Sequence, residues 1–153
     1  MKKGRTKKIL ALTGYALAMG LLETAVVVYL RELYYPKNFL IKHLIDLVAM
    51  PVNVLKIELW REAATIIMLA AVGYLAFRHW ILRIFAFLFV FSVWDLSYYL
   101  FLFIFIHWPP SLTTMYIYYL IPKPWMGPVW LPLLLFSIIG LYSFKKLMDI
   151  NKS

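Results

Sequence analysis

Hydrophobic positions fall into four long runs, residues 9–30, 55–77, 80–108 and 128–144, separated by two long connections, 31–54 and 109–127, and a short basic turn at 78–79. Each run reaches the roughly 17–25 apolar residues that carry a helix across a bilayer. The pattern therefore predicts an all-α, integral membrane four-helix bundle. The first run is too long for a signal peptide and no A-x-A-type site follows it, so it is expected to stay as a span. No internal repeat relates the two halves, and the whole chain, 1–153, reads as a single membrane domain.

Polar positions inside the runs are few and regularly spaced. On the second run Glu58, Glu62 and Thr65 stand at i, i+4 and i+7, with Arg61 alongside. On the third, Ser92, Asp95 and Tyr99 stand at i, i+3 and i+7, with Tyr98 as an adjacent alternative. Helical spacing of this kind puts each set on one face, which is expected to point into the bundle. Glu58 and Glu62 are also expected near the start of their helix, where its dipole favours negative charge.

The connections carry patterns of their own. In NFLIKHLIDLVAM, Phe39, Leu40, Leu44, Leu47 and Val48 recur at helical spacing, and Lys42 and Asp46 lie four apart. That reads as an amphipathic helix lying in the membrane interface. The later stretch WPPSLTTMYIYYLIPKPWMGPVW is rich in Trp, Tyr and Pro. Its aromatics suit the headgroup level, and Pro122, Pro124 and Pro128 forbid a regular helix. An irregular aromatic and proline-rich cap over the outer end is expected.

Composition strengthens the membrane reading. Hydrophobic residues make up 64% of the chain, well above the roughly 45–50% of soluble domains, and the mean hydropathy is +0.80. The net charge of +9 does not point to nucleic acid, because the basic residues sit at the ends of apolar runs. Their distribution sets a topology instead. Ten Lys and Arg, at 2, 3, 5, 7, 8, 78, 83, 145, 146 and 152, fall on one face, against six at 31, 37, 42, 56, 61 and 123 on the other. Both termini are expected to be cytoplasmic.

The absence of cysteine excludes disulfides, Cys-ligated zinc and iron–sulfur clusters. His43, His79 and His107 are scattered, so no multi-histidine metal centre is expected. A carboxylate site for a hard cation is conceivable, but nothing in the sequence requires it. No cofactor or metal is expected. The motifs of Ser hydrolases, phosphate loops and zinc proteases do not occur.

Three of the seven acids lie within spans: Glu23, Glu62 and Asp95. An ionised, unpaired carboxylate at a helix centre costs about 2.5–3.5 kcal/mol to insert. Three at similar depth imply compensation, by sharing protons or pairing with Arg31 and Arg61. The candidate acid/base residues are Asp95, Glu62 and Glu23. The candidate binding residues are Arg61, Arg31, Glu58, Tyr98, Tyr99, Trp94 and Trp125. The plain alternatives are that Glu58 is an interfacial helix-start acid, that Glu62 is a structural partner of an arginine, and that Asp95 bonds a Tyr or Trp. Thr65 and Ser92 would then be interhelical or backbone hydrogen bonders.

The blocks E-L-W-R-E-A-A-T at 58–65, W-D-L-S-Y-Y at 94–99, W-P-P-S-L at 108–112 and L-I-P-K-P-W-M-G-P-V at 120–129 resemble an uncharacterised group of small four-span bacterial and archaeal membrane proteins. The resemblance implies a compact four-helix unit and no particular reaction. That group carries an acid shortly before the L-I-P block, where this chain reads TTMYIYY, so no acidic role transfers to that place.

Three functions fit the pattern. The first is an accessory or structural subunit of a membrane complex, with a buried carboxylate/arginine cluster in the outer half. The second is an intramembrane enzyme acting by acid/base chemistry on a lipid or other lipophilic substrate. The third is a small proton- or cation-coupled transporter. Membrane lipids and other membrane-protein subunits are the expected partners. The segments IIMLAAVGYLAF and ILRIFAFLFVF carry almost no ionisable group beyond their ends, which argues against a polar path through to the inner face.

Overall fold

The computed structural model describes residues 2–34, 50–119 and 125–149. Four helices carry the fold: α1 (Lys2–Tyr34), α2 (Val52–Ala76), α3 (Trp80–Ile106) and α4 (Trp130–Asp149). Each is long and apolar enough to cross a membrane, and the chain is an integral membrane four-helix bundle. The amphipathic helix expected around 39–48 lies outside the described residues.

The helices run further than the apolar sequence that predicts them. α1 includes the basic residues before residue 9 and continues to Tyr34, and α4 continues to Asp149. Helical hydrogen bonding satisfies the backbone wherever it leaves hydrocarbon, so hydrophobicity marks the bilayer and not the helix end. α2 begins at Val52 behind Pro51. Glu58 and Glu62 are thus more than a turn inside it, beyond the reach of a helix dipole that fades within the first turn. The dipole contribution expected for them does not apply.

Successive helices run up and down. Arg5 of α1 donates to the Met148 carbonyl of α4 (3.3 Å), and Lys8 donates to the Ala76 carbonyl at the end of α2 (2.8 Å). The two chain ends therefore share one end of the bundle, with the α2–α3 turn beside them. Arg83 closes that turn by donating to the Phe77 carbonyl at 2.7 Å, with its guanidinium over the Tyr74 ring.

α3 is the hub. Half of its most apolar window is buried, against 17–28% for the other three helices. Lipid offers no hydrophobic drive for one helix to join another, so close approach through small residues does that work. Each neighbour seats on α3 through a glycine. A Cβ on Gly20 of α1 would meet Ser97 Oγ and lie 3.0 Å from the Trp94 carbonyl oxygen. One on Gly73 of α2 would lie 2.8 Å from the Phe87 nitrogen, and one on Gly140 of α4 would lie 3.1 Å from Ser92 Cβ. Thr24 adds a polar tie, its hydroxyl 2.8 Å from the Gly20 carbonyl and 3.2 Å from the Tyr98 carbonyl of α3.

The cap differs from expectation. Residues after α3 form an antiparallel hairpin, β1 (Met115–Tyr119) and β2 (Trp125–Pro128), in which Tyr116 pairs with Gly127 and Ile117 with Met126. A register shift falls between Ile117 and Tyr119. Proline does forbid a helix here, but it is tolerated at a strand end, where Pro128 sits. The β-branched and aromatic side chains of Met-Tyr-Ile-Tyr-Tyr favour the strand. Backbone bonds from Val129 to Thr114 (3.0 Å) and from Trp130 to Leu112 (2.9 Å) fasten the hairpin base to the start of α4.

Candidate functional site

Between α1, α2 and α3, closed at one end by β1, lies a cavity of about 120 Å³. α1 contributes Glu23, Val27, Leu30 and Arg31. α2 contributes Glu58, Arg61, Glu62, Thr65 and Ile66 from one face, as the i, i+4, i+7 spacing requires. α3 contributes Trp94, Asp95, Tyr98 and Tyr99, and β1 contributes Tyr116, Ile117 and Tyr118. Met50 completes the lining.

Glu23 and Glu58 share Arg61, which forms an ion pair with each. Its Nη1 donates to Glu23 Oε2, and its Nε and Nη2 lie 2.8 and 2.7 Å from Glu58 Oε2. These side chains are 13% (Glu23), 9% (Glu58) and 23% (Arg61) exposed, so the charges are mostly removed from solvent. The trio spans α1 and α2 across the cavity. Glu58 is therefore a buried partner of Arg61 and not a wet helix start. Glu23, read from sequence as an acid/base partner of Asp95, is engaged with Arg61.

Asp95 and Glu62 line the same cavity. Asp95 is 7% exposed. Its charge reaches the cap: burial first, and the Asp95 carboxylate second, push the Tyr118 phenol up to about 12. The Tyr118 hydroxyl donates to the Pro128 carbonyl at 2.6 Å. Gly127 permits this, since a Cβ there would come within 3.0 Å of the Tyr118 ring.

Arg31 is 3% exposed, and its guanidinium carbon lies 4.3 Å from the Trp108 ring centre and 5.2 Å from that of Tyr116. As a cation in the last turn of α1 it also faces the favourable end of the helix dipole. Tyr98 and Tyr116 join hydroxyls at 2.5 Å, and Tyr99 stacks on Trp108. The aromatic wall thus ties α1, α3 and the hairpin together.

Of the candidates named from sequence, Asp95, Glu62, Glu23, Arg61, Arg31, Glu58, Tyr98, Tyr99 and Trp94 all line this cavity. Trp125 does not: it sits on β2 and is 57% exposed. Ser92 is also elsewhere, fully buried against Gly140 of α4, with its hydroxyl donating to the Leu88 carbonyl at 2.7 Å. Tyr116, Tyr118 and Trp108 were missed. The signal for Tyr116 and Tyr118 is the two-residue alternation of tyrosines in Met-Tyr-Ile-Tyr, which suits a strand.

Among the described residues no group of three or more His, Cys, Asp or Glu is arranged to hold a metal ion. Comparison with protein-family models, with curated proteins and with solved structures finds no match to this chain.

Proposed function

We propose that this protein binds the small polar end of a lipophilic molecule inside the bilayer, with Asp95 and Glu62 as the groups that exchange protons with it. The carrying observation is the cavity itself. Polar and ionisable residues are expensive within a membrane and collect where there is work for them. Here Asp95, Glu62 and Arg31 share a cavity with Val27, Leu30 and Ile66. A volume of about 120 Å³ approaches the roughly 150 Å³ of a protein cavity that admits benzene. It suits a headgroup or a single ring and leaves an apolar tail to the lipid. Both blocks that supply the polar wall, 58–65 and 94–99, belong to the resemblance described above.

The distribution of Lys and Arg supports cytoplasmic termini, and the resemblance to bacterial and archaeal proteins supports a prokaryotic cytoplasmic membrane. The cavity then opens in the outer half. The apolar sequence of α2 and α3 beyond it supports a closed inner end, and so a pocket in preference to a transport path. Acid/base catalysis on the bound molecule is the enzymatic form of this reading.

The accessory-subunit reading draws on one separate observation. Arg61 with Glu23 and Glu58 fastens α1 to α2, a structural use of buried charge that needs no ligand.

Native mass spectrometry of the protein released from non-ionic micelles tests the choice. A lipophilic adduct retained by wild type and lost in Asp95→Asn and Glu62→Gln supports the pocket. Absence of any adduct, with both variants still assembling into an intact complex with another membrane protein, supports the subunit instead.

A further inference from the structure

We propose that the polar end this cavity receives is a cation: an ammonium, or another nitrogen-centred cation, on a lipophilic body. The inference rests on the pocket reading above and adds the ligand's charge and class.

The first argument is the balance of charge. Among the described residues, four carboxyls and two guanidiniums line the cavity. Arg61 already lies between Glu23 and Glu58, so that trio carries one more negative group than positive. Asp95 and Glu62 add two carboxyls against the one guanidinium of Arg31. Coulomb energies grow as the local dielectric falls, so the described lining complements a cationic headgroup better than a phosphate or a carboxylate.

The second argument is the wall. Trp94, Tyr98, Tyr99, Tyr116 and Tyr118 offer aromatic surface to the same cavity. Ring faces are negative and attract cations, most strongly where water is excluded. The outer part of this wall holds one already, since the Arg31 guanidinium rests over Trp108 and Tyr116 while almost fully buried. Aromatic faces combined with carboxylate counter-charge match the recognition of alkylammonium groups, and the volume suits a trimethylammonium-sized head.

The charged and titratable groups facing the site are Glu23 and Arg31 from α1, Glu58, Arg61 and Glu62 from α2, Asp95, Tyr98 and Tyr99 from α3, and Tyr116 and Tyr118 from β1. Neutral variants of Asp95 and Glu62 report whether their charge holds the cation.

The test uses three probes with the same tail, dodecyltrimethylammonium, dodecyl phosphate and dodecanol, titrated by calorimetry into the protein in maltoside micelles. The expected result is saturable binding of the ammonium probe, at least about tenfold tighter than that of the phosphate or the alcohol. Asp95→Asn and Glu62→Gln should each weaken it about tenfold, with circular dichroism reporting whether each variant stays folded. If one variant fails to fold, the other decides. Binding of the phosphate or the alcohol as tight as that of the ammonium overturns the cation inference and leaves the pocket reading standing. Ammonium binding unchanged in the folded variants also overturns it. If none of the probes binds and no lipophilic adduct is found on the native protein, the pocket reading falls with it.

Discussion

Replacing Arg61 by Gln removes the cation that Glu23 and Glu58 share, while keeping most of the side chain's volume. In a fully buried pair, loss of one partner costs about 3–5 kcal/mol, because the other charge is left without compensation. Here two carboxylates lose the same partner, but the three side chains retain 9–23% exposure, and the abandoned acids can take up protons. Both effects reduce the penalty, and about 2–3 kcal/mol is expected. The loss should appear in equilibrium unfolding in mixed micelles, followed by helical circular dichroism. A double-mutant cycle with Glu23→Gln isolates the tie between α1 and α2, with an expected coupling of about 1–2 kcal/mol. The double variant should recover part of the stability that Arg61→Gln loses. Strict additivity in the cycle, with Arg61→Gln within about 0.5 kcal/mol of wild type, would refute the view that this trio holds the two helices across the cavity.

Gly73→Ala should destabilise by about 1–3 kcal/mol, since the new Cβ meets backbone atoms of Phe87 at 2.8 and 2.9 Å that cannot step aside. Gly14→Ala, with open space around its Cβ, should instead be neutral or gain up to about 1 kcal/mol in the same unfolding assay. His107→Gly should raise stability by about 0.5–1 kcal/mol, because His107 ends α3 at a φ of 52°, a left-handed conformation that glycine adopts without steric penalty. Tyr118→Phe should lose about 1 kcal/mol at neutral pH with the bond to Pro128. Because the folded Tyr118 is raised to about 12, its contribution is complete below about pH 10 and is lost as pH climbs toward that higher value, so the gap between wild type and variant should close between about pH 10 and about pH 12.

The four helices were legible because a bilayer demands long apolar runs, and nothing else in this chain competes with that signal. Their ends were not, since a helix outlives its hydrophobic stretch at both α1 and α4. Helical spacing also placed Glu58, Glu62 and Thr65 on one face, and Asp95 with Tyr99 on another, because polar side chains in a bundle avoid lipid. Ser92 faces the bundle interior as its spacing requires, and it bonds its own helix backbone, the plain alternative for it. It lies on the edge of that stripe nearest α4, and a hydroxyl can satisfy itself on its own helix backbone without reaching the cavity. Which acid takes which arginine depends on how far apart α1 and α2 stand, a distance no local pattern encodes. The hairpin was hidden for a related reason. Its prolines and aromatics read equally well as headgroup anchors, and only pairing between Met115–Tyr119 and Trp125–Pro128 distinguishes a strand from a coil.

Because α1 and α2 each rest on α3 by a separate glycine and are joined across the cavity by Arg61, the chamber between them has walls that can be recut one at a time. Trimming Val27 or Leu30 on one side, or Ile66 on the other, changes its width while both seats on α3 stay untouched. A scaffold with that independence can drift from one guest to another without first coming apart.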